Sequence, residues 1–162
     1  MWPVQAIKQA VAPLWPGFTV EVLPTIDSTN SELLRRARAG ARDPALLVAE
    51  QQTAGRGRLG RSWQSDAALA DVDAACKRGV NRAGGALTFS LALPLALQDW
   101  SGLSLAVGVS VAHALHPELQ LKWPNDIWLR DRKLAGILIE TASFADRRYA
   151  VIGIGIGWWL QS

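Results

Sequence analysis

Residues 127–157 read IWLRDRKLAGILIETASFADRRYAVIGIGIG, and this stretch decides the fold. Its apolar and β-branched runs predict three strands, over residues 127–130, 134–141 and 149–157. The polar segments Asp131-Arg132 and Ala145-Asp146-Arg147 are suited to the turns between them. Strands joined by tight turns pair antiparallel, so this part of the chain predicts an antiparallel sheet.

The chain before this stretch alternates predicted strands and helices. Further strands are expected over residues 18–23, 45–50, 86–93 and 119–123, and helices over residues 3–12, 29–40 and 103–115. Thr29 and Glu32 are expected to form a capping box, and Gly40 to end that helix. Residues 66–79 can form a small helix and residues 81–85 a turn. We therefore predict an α+β fold, with a mixed, largely antiparallel sheet flanked by helices.

The composition is that of one globular domain. Of the 162 residues, 49% are hydrophobic and 19% are charged, which suits a folded core and not a disordered chain. The single cysteine, Cys76, excludes an intramolecular disulfide and a thiolate zinc cluster, and it fits a reducing cytoplasm. The N-terminus lacks a secretory signal, and the apolar stretch 86–97 is too short to span a bilayer. We expect a cytoplasmic protein without a membrane segment.

The segment GRGRLGR, residues 55–61, alternates glycine with arginine. Glycine lets the backbone approach a ligand closely, and arginine presents a planar cationic fork that matches carboxylates and phosphates. The formal net charge is only +3, and three arginines lie here, which indicates a local anionic ligand and argues against nucleic acid. The glycine spacing fits a dinucleotide fingerprint only weakly, because no helix is predicted after it, and no P-loop lysine follows. A solvated surface loop is the structural alternative.

Two further motifs lie in the C-terminal half. In KWPND, residues 122–126, the proline fixes a turn that aims Asn125 and Asp126 at one place, and Lys133 precedes the next strand. A plain hairpin with a lysine at each end is the structural alternative. In GIGIG, residues 153–157, glycine at every second position clears one face of a strand for something flat to lie against. Close packing of a helix on that face is the structural alternative.

Four motifs together resemble the catalytic domain of bacterial biotin protein ligases. They are DSTN at 27–30, QQTAGRGRLGRSW at 51–63, KWPND at 122–126 and RKLAGILIE at 132–140. The resemblance covers residues 20–157 and implies a fold like class II aminoacyl-tRNA synthetases and biotin ligases. It also implies a two-step reaction: the biotin carboxylate attacks the α-phosphate of ATP, giving biotinyl-5′-AMP and pyrophosphate, and a carrier lysine then displaces AMP. The implied small molecules are biotin, ATP and Mg²⁺, and the implied partner is a biotin carboxyl carrier protein.

The resemblance implies a role for each matching residue. The expected ligand-binding set is Ser28, Thr29, Asn30, Gln52, Gly55, Arg56, Gly57, Arg58, Arg61, Trp63, Lys122, Asn125, Lys133, Gly136, Gly153 and Gly155. The expected catalytic residues are Lys133, Arg58, Lys122 and Asp126. Lys133 resembles the lysine that bridges the biotin carboxyl oxygen and the α-phosphate.

Within that set the roles differ. Ser28, Thr29 and Gln52 resemble the polar groups that hold the ureido ring. Gly55 and Arg56 resemble contacts of the biotin loop, and Trp63 resembles the aromatic that packs over the ligand. Phosphate binding is implied for Arg58, Arg61 and Lys122. Asn125 and Asp126 resemble a polar pair that supports either the metal or the incoming lysine.

The chain also departs from the family. Gly157 stands where the family has an asparagine that helps recognise adenine, and residues 66–84 look like an insertion. We expect one catalytic domain over residues 1–162, without the family's small C-terminal β-domain, which could impair activity, and without the DNA-binding segment of repressor relatives. The alternatives are a non-catalytic module that binds biotin or its adenylate, and a lipoate or octanoate transferase; a homodimer is left open.

Overall fold

A computed structural model describes residues 2–63, 85–144 and 147–157. The small helix expected over residues 66–79 lies outside the described residues. So does most of the turn expected over 81–85, and so does the tip of the turn expected over 145–147. The elements below are those of the described part.

One sheet of seven strands organises the described residues, in the order β1-β2-β3-β7-β6-β5-β4. The strands are β1 (Thr19–Ile26), β2 (Ala45–Gln52), β3 (Ala86–Pro94), β4 (Gln120–Lys122), β5 (Asp126–Leu129), β6 (Arg132–Phe144) and β7 (Arg147–Gly157). β1 and β2 run parallel, because α2 crosses between them, and every other neighbouring pair is antiparallel. The predicted mixed, largely antiparallel sheet is confirmed.

Three α-helices are described: α1 (Val4–Val11), α2 (Thr29–Arg38) and α3 (Leu103–Leu115). The predicted capping box of α2 is wrong by one residue. Ser28, in extended conformation, is the N-cap, and its hydroxyl accepts the backbone N–H of Ser31. Glu32 instead pairs with Arg35 and Arg36 along the helix. Gly40 follows the helix at φ 103°, as expected for a left-handed C-terminal glycine.

The strand alternation divides the core into two layers. On one face, α2 packs Leu33 and Leu34 against Leu47 and Val151. On the other face, the isoleucines of β7 pack with apolar residues of α3 such as Val107. Successive residues of a strand point to opposite faces, so the glycines of the GIGIG run point toward the α2 side.

The β5–β6 turn is also shifted by one residue from its predicted place. Arg130 and Asp131 are the two turn residues, at φ 48° and 61°, and Arg132 already belongs to β6. Two consecutive left-handed residues give a hairpin turn whose twist matches that of the strands. The turn pairs Leu129 with Arg132, and a shift of register between Trp128 and Ile127 then places Asp126 opposite Gly136. Of the described helices, none is long and apolar enough to cross a membrane.

Candidate ligand-binding and catalytic site

A cleft of about 370 Å³ opens on the α2 face of the sheet, a size typical of small-molecule sites. The glycine-arginine loop, the N-terminus of α2, and strands β3, β5, β6 and β7 form its walls. The predicted residues that line it are Ser28, Thr29, Asn30, Gln52, Arg56, Gly57, Arg58, Arg61, Trp63, Asn125, Asp126, Lys133, Gly136, Gly153 and Gly155. Residues that are far apart in sequence therefore meet in one place.

The glycine-arginine loop is a closed hairpin. The Gly57 N–H donates to the Arg61 carbonyl at 2.7 Å, and the Trp63 N–H donates to the Gly55 carbonyl at 2.8 Å. A Cβ atom on Gly55 would collide with the backbone of Trp63 and come within 2.9 Å of the Gln52 amide. Gly55 does not line the cleft. Its position at the base of the hairpin lets the two arms of the loop approach each other.

The wall at the start of α2 is polar and buried. Gln52 Oε1 accepts the Thr29 N–H at 2.8 Å and lies 3.1 Å from the Thr29 hydroxyl. Ser90 of β3 donates its hydroxyl to Asn30 Oδ1 at 2.6 Å, and Ser28, Thr29 and Asn30 are each only 3% exposed. These groups are held before any ligand arrives, so the wall can orient a polar ring at little entropic cost.

Asp27 fastens the start of this helix from outside. Its Oδ1 accepts the Ser28 N–H at 2.7 Å, and both carboxylate oxygens accept hydrogen bonds from Arg35, at 2.8 and 2.9 Å. The hydrogen-bonded Arg35 guanidinium lowers the pKa of the Asp27 carboxyl from 3.8 to about 2. The Asp27 carboxyl therefore binds its proton more weakly in the native state than in the unfolded chain.

We expect Asp27→Asn to lower the free energy of unfolding near neutral pH by less than about 1 kcal/mol, because the pair is exposed and screened. A carboxyl whose pKa is lower in the folded state stabilises that state at pH values above its unfolded-state pKa. The stabilisation is lost as the pH falls through the folded-state pKa. The difference from wild type should therefore fade between about pH 4 and pH 2. Urea denaturation at a series of pH values measures it, with Asp131→Asn in the exposed turn as control. A difference that persists unchanged at the lowest pH would contradict the assignment.

The opposite wall is cationic. Lys133 Nζ lies 2.8 Å from Asp126 Oδ1, and Arg58 Nη1 donates to Asn125 Oδ1 at 3.2 Å. Asn125 is oriented by its own Nδ2, which donates to the Ile137 carbonyl at 2.9 Å. The Arg61 guanidinium has no ion pair with another described residue. Hence Arg58 and Arg61 carry positive charge that no described carboxylate neutralises, and an anionic ligand can supply it.

Lys122 takes a different position from the one expected. Its Nζ lies 3.7 Å from the centre of the Trp128 ring, a cation–π geometry, and it does not line the cleft. Lys122 pairs with Asp126 across β4 and β5 in backbone register. Directly opposed residues of an antiparallel pair share a face of the sheet, so the contact with Trp128, and not the register, holds the Lys122 ammonium group outside the cleft. Its role in phosphate binding stays a prediction.

The glycine face of β7 is covered by the protein's own side chains. A Cβ atom on Gly155 would overlap the Trp63 indole, and one on Gly153 would overlap the Asn30 amide. Gly136 is the cross-strand neighbour of Gly155, and a Cβ atom on Gly136 would lie 3.5 Å from the Trp63 ring. The flat group lying on this face is therefore Trp63, and the helix packing expected as the alternative is supplied by Asn30 of α2.

Replacing Gly155 by alanine is expected to lower the free energy of unfolding by about 1–3 kcal/mol, because the added methyl displaces a packed indole. The matched control is Gly102→Ala, where an added Cβ meets nothing within 4 Å. Thermal denaturation of both variants measures the difference. Equal melting temperatures for the two would show that Trp63 does not pack as described.

Sequence reasoning missed several residues of this site. Thr88 and Ser90 line the cleft from β3, and they are the polar residues at alternate positions of an otherwise apolar strand. That period-two signal was available. Glu140, at the end of the RKLAGILIE motif, pairs with Arg56 at 2.7 Å. Nothing local in the sequence indicates that pairing.

A mixed sheet whose cleft has one buried polar wall and one cationic wall has the features of a site for a small anionic ligand. The model of the biotin/lipoate A/B protein ligase family matches residues 76–157, just over half of the chain. The chain belongs to that family.

Two curated relatives are each 39% identical to this chain. The biotin–[acetyl-CoA-carboxylase] ligase of Mycobacterium tuberculosis aligns over 145 residues, 85% of this chain and 48% of that protein. The bifunctional ligase/repressor BirA of Escherichia coli aligns over 163 residues, 95% of this chain and 45% of that protein. The chain thus spans about half the length of the curated relatives it matches.

Solved structures show the same fold. The biotin protein ligase from Aquifex aeolicus in complex with biotin and ATP has a TM-score of 0.61 and 32% identity, covering 85% of this chain and 51% of that one. The biotin acetyl coenzyme A carboxylase synthetase from Helicobacter pylori with bound biotinylated ATP has a TM-score of 0.61 and 29% identity, covering 85% and 59%. The expected biotin ligase-like fold is confirmed.

Proposed function

We propose that this chain is the catalytic domain of an ATP-dependent biotin–[carrier protein] ligase. The observation that carries the proposal is the convergence of Lys133, Arg58 and Arg61 on one cleft whose other wall is the buried polar start of α2. Relatives solved with biotin and ATP, or with biotinylated ATP, share this fold. Biotin and ATP are accordingly the proposed substrates.

The first step needs fixed positive charge. A carboxylate and a triphosphate repel each other, so their approach requires cations held in place before the reaction. As the biotin oxygen attacks the α-phosphate, pyrophosphate leaves with the electron pair of the broken P–O bond. An ammonium group has three donors, so Lys133 can hold Asp126 and still reach the reacting oxygens.

The second step needs protection of the adenylate from water. The amine of a carrier lysine attacks the acyl carbon, AMP leaves, and the amine loses a proton. The glycine-arginine loop lines the cleft, which suits it to cover the mixed anhydride until the carrier arrives. A biotin carboxyl carrier protein is the proposed partner, and the cytoplasm, where ATP is available, is the proposed setting.

Mg²⁺ fits the oxygen donors beside Lys133. Asp126 supplies a carboxylate, and the orientation of Asn125 presents its amide oxygen. Magnesium usually takes one or two carboxylates together with substrate phosphates. In the described part of the chain, no group of three or more histidine, cysteine or acidic side chains could hold a metal. We therefore propose that Mg²⁺ binds with ATP, where it would neutralise phosphate charge.

The proposal is tested by incubating the purified chain with biotin, ATP and Mg²⁺, with and without a biotin carrier domain. We expect pyrophosphate release and biotinyl-5′-AMP without the carrier, and biotinylated carrier with it. Lipoate and octanoate are tested in parallel. Turnover of lipoate or octanoate in place of biotin would redirect the substrate assignment, and biotin binding without pyrophosphate release would leave only a binding module.

A further inference from the structure

The guanidinium of Arg56 is turned toward the sheet and engaged there. Its Nη1 and Nη2 donate to Glu140 Oε1 and Oε2 at 3.0 and 2.7 Å, and its Nε donates to the Ser31 hydroxyl at 3.1 Å. Three of the five N–H groups of an arginine fork are thus used by one carboxylate and one hydroxyl. This bidentate geometry fixes both the position and the plane of the guanidinium.

Glu140 is itself held in place. Its Oε2 accepts the Asn30 Nδ2 at 2.9 Å, and Asn30 Oδ1 accepts the Ser90 hydroxyl at 2.6 Å. Asn30 is 3% exposed, and it fits there because Gly153 has no side chain. The carboxylate is therefore fixed by buried groups of α2 and β3 before the loop contacts it.

Arg58 contrasts with Arg56, although the two are only two residues apart. The described partner of the Arg58 guanidinium is the neutral amide of Asn125, at 3.2 Å, whereas Arg56 is neutralised by a carboxylate. A guanidinium that already has a bidentate carboxylate is a poorer binder of a second anion than one without. The two arginines therefore do different work: one joins the loop to the sheet, and the other faces the ligand.

We infer that Glu140 is a positioning residue that fastens the glycine-arginine loop to the sheet through Arg56, so that Arg58 and Arg61 face the ligand. The inference deepens the proposed function and rests on it for the identity of the ligand. The anchoring of the loop can be measured with no ligand present.

Glu140→Gln keeps the size of the side chain and replaces one acceptor oxygen by a donor that faces Arg56. We expect amide hydrogen exchange of residues 55–63 to rise by about tenfold or more, the scale of losing a charge-assisted hydrogen bond. The KM for biotin should rise by a similar factor. The maximal rate of adenylate formation should fall by less than in Lys133→Ala, because Lys133 and Asp126 are untouched and only the arginines of the loop are displaced.

Glu118→Gln is the matched control, since Glu118 pairs with Arg130 at 3.6 Å on an exposed surface. Arg56→Gln removes the other partner and serves also if Glu140→Gln does not fold. The double variant should add little to either single variant, because both remove the same contact. If Glu140 had only a stabilising role, its replacement would lower the melting temperature and leave the KM for biotin unchanged.

Loop exchange and KM at wild-type values in Glu140→Gln would overturn the inference. An equal change of loop exchange and KM in Glu118→Gln would also overturn it. So would a double variant in which the effects of Glu140→Gln and Arg56→Gln simply add. A wild-type chain that forms no adenylate would contradict the proposed function alone, because the exchange of the ligand-free loop would still decide the role of Glu140.

Discussion

Replacing Lys133 by alanine is expected to lower the rate of adenylate formation by about 10²-fold or more, the scale of losing one preorganised charge stabiliser. The ammonium group lies in the cleft, 2.8 Å from Asp126 and 6.0 Å from the centre of the Trp63 ring. Charge builds on the α-phosphate as the carboxylate attacks, and among the described residues Lys133 is the lysine that lines this cleft. Without it, Asp126 would also add an unpaired negative charge beside the triphosphate.

The measurement is single-turnover formation of biotinyl-5′-AMP with saturating biotin and ATP. Lys8→Ala, on the remote helix α1, is the control and should keep the wild-type rate. The Lys133 side chain is 43% exposed, so its truncation should leave the melting temperature nearly unchanged. A near-wild-type rate for Lys133→Ala would rule out its role in the chemical step.

Replacing Arg58 by glycine is expected to let the adenylate escape before transfer. The Arg58 side chain joins the loop to Asn125, which directly precedes β5, so its loss opens the cleft. Glycine also enlarges the conformational freedom of a loop that already holds three glycines in this segment. Loss of a charge-assisted contact corresponds to about tenfold faster release of the bound adenylate. Released adenylate should then acylate lysines of bystander proteins.

The measurement is biotinylation of a mixture of unrelated proteins, together with the dissociation rate of biotinyl-5′-AMP. Arg130→Gly is the matched control, because Arg130 is exposed and has φ 48°, a conformation that glycine adopts freely. The control should leave bystander proteins unlabelled. If Arg58→Gly also leaves them unlabelled while adenylate still forms, Arg58 does not retain the intermediate.

Most of the fold could be predicted because its strands carry period-two patterns and its helices have clear end signals. α3 begins at Leu103 and ends at Leu115, as predicted. The errors at the α2 cap and the β5–β6 turn are shifts of one residue, whereas β1 and β6 extend up to three residues beyond their predicted ends. Ser28 and Thr29 can both cap a helix, and the choice of Ser28 follows from the pairing of Thr29 with Gln52, 23 residues away. The turn at Arg130 and Asp131 has no glycine or asparagine to mark its left-handed residues.

The site was predictable where motifs resemble a family, and unpredictable where contacts join distant strands. The resemblance identified the residues around Arg58 and Lys133 that line the cleft. It could not show that Gly55 closes the base of the loop or that Lys122 lies on Trp128. Glu140 stands 84 residues from Arg56, and no local pattern links a glutamate at the end of an apolar strand to a loop so far away.

The alternating run of β7 has a consequence for folding fidelity. Its isoleucines fill the core against α3, and its glycines admit Trp63 and Asn30 on the other face. A slip of one residue against β3 or β6 would exchange the two faces, leaving voids beneath α3 and bulky branched chains in the cleft. A misregistered chain would therefore lose both core packing and the space for a ligand in the cleft. A ligand-binding assay would consequently also report whether the central strand has paired correctly.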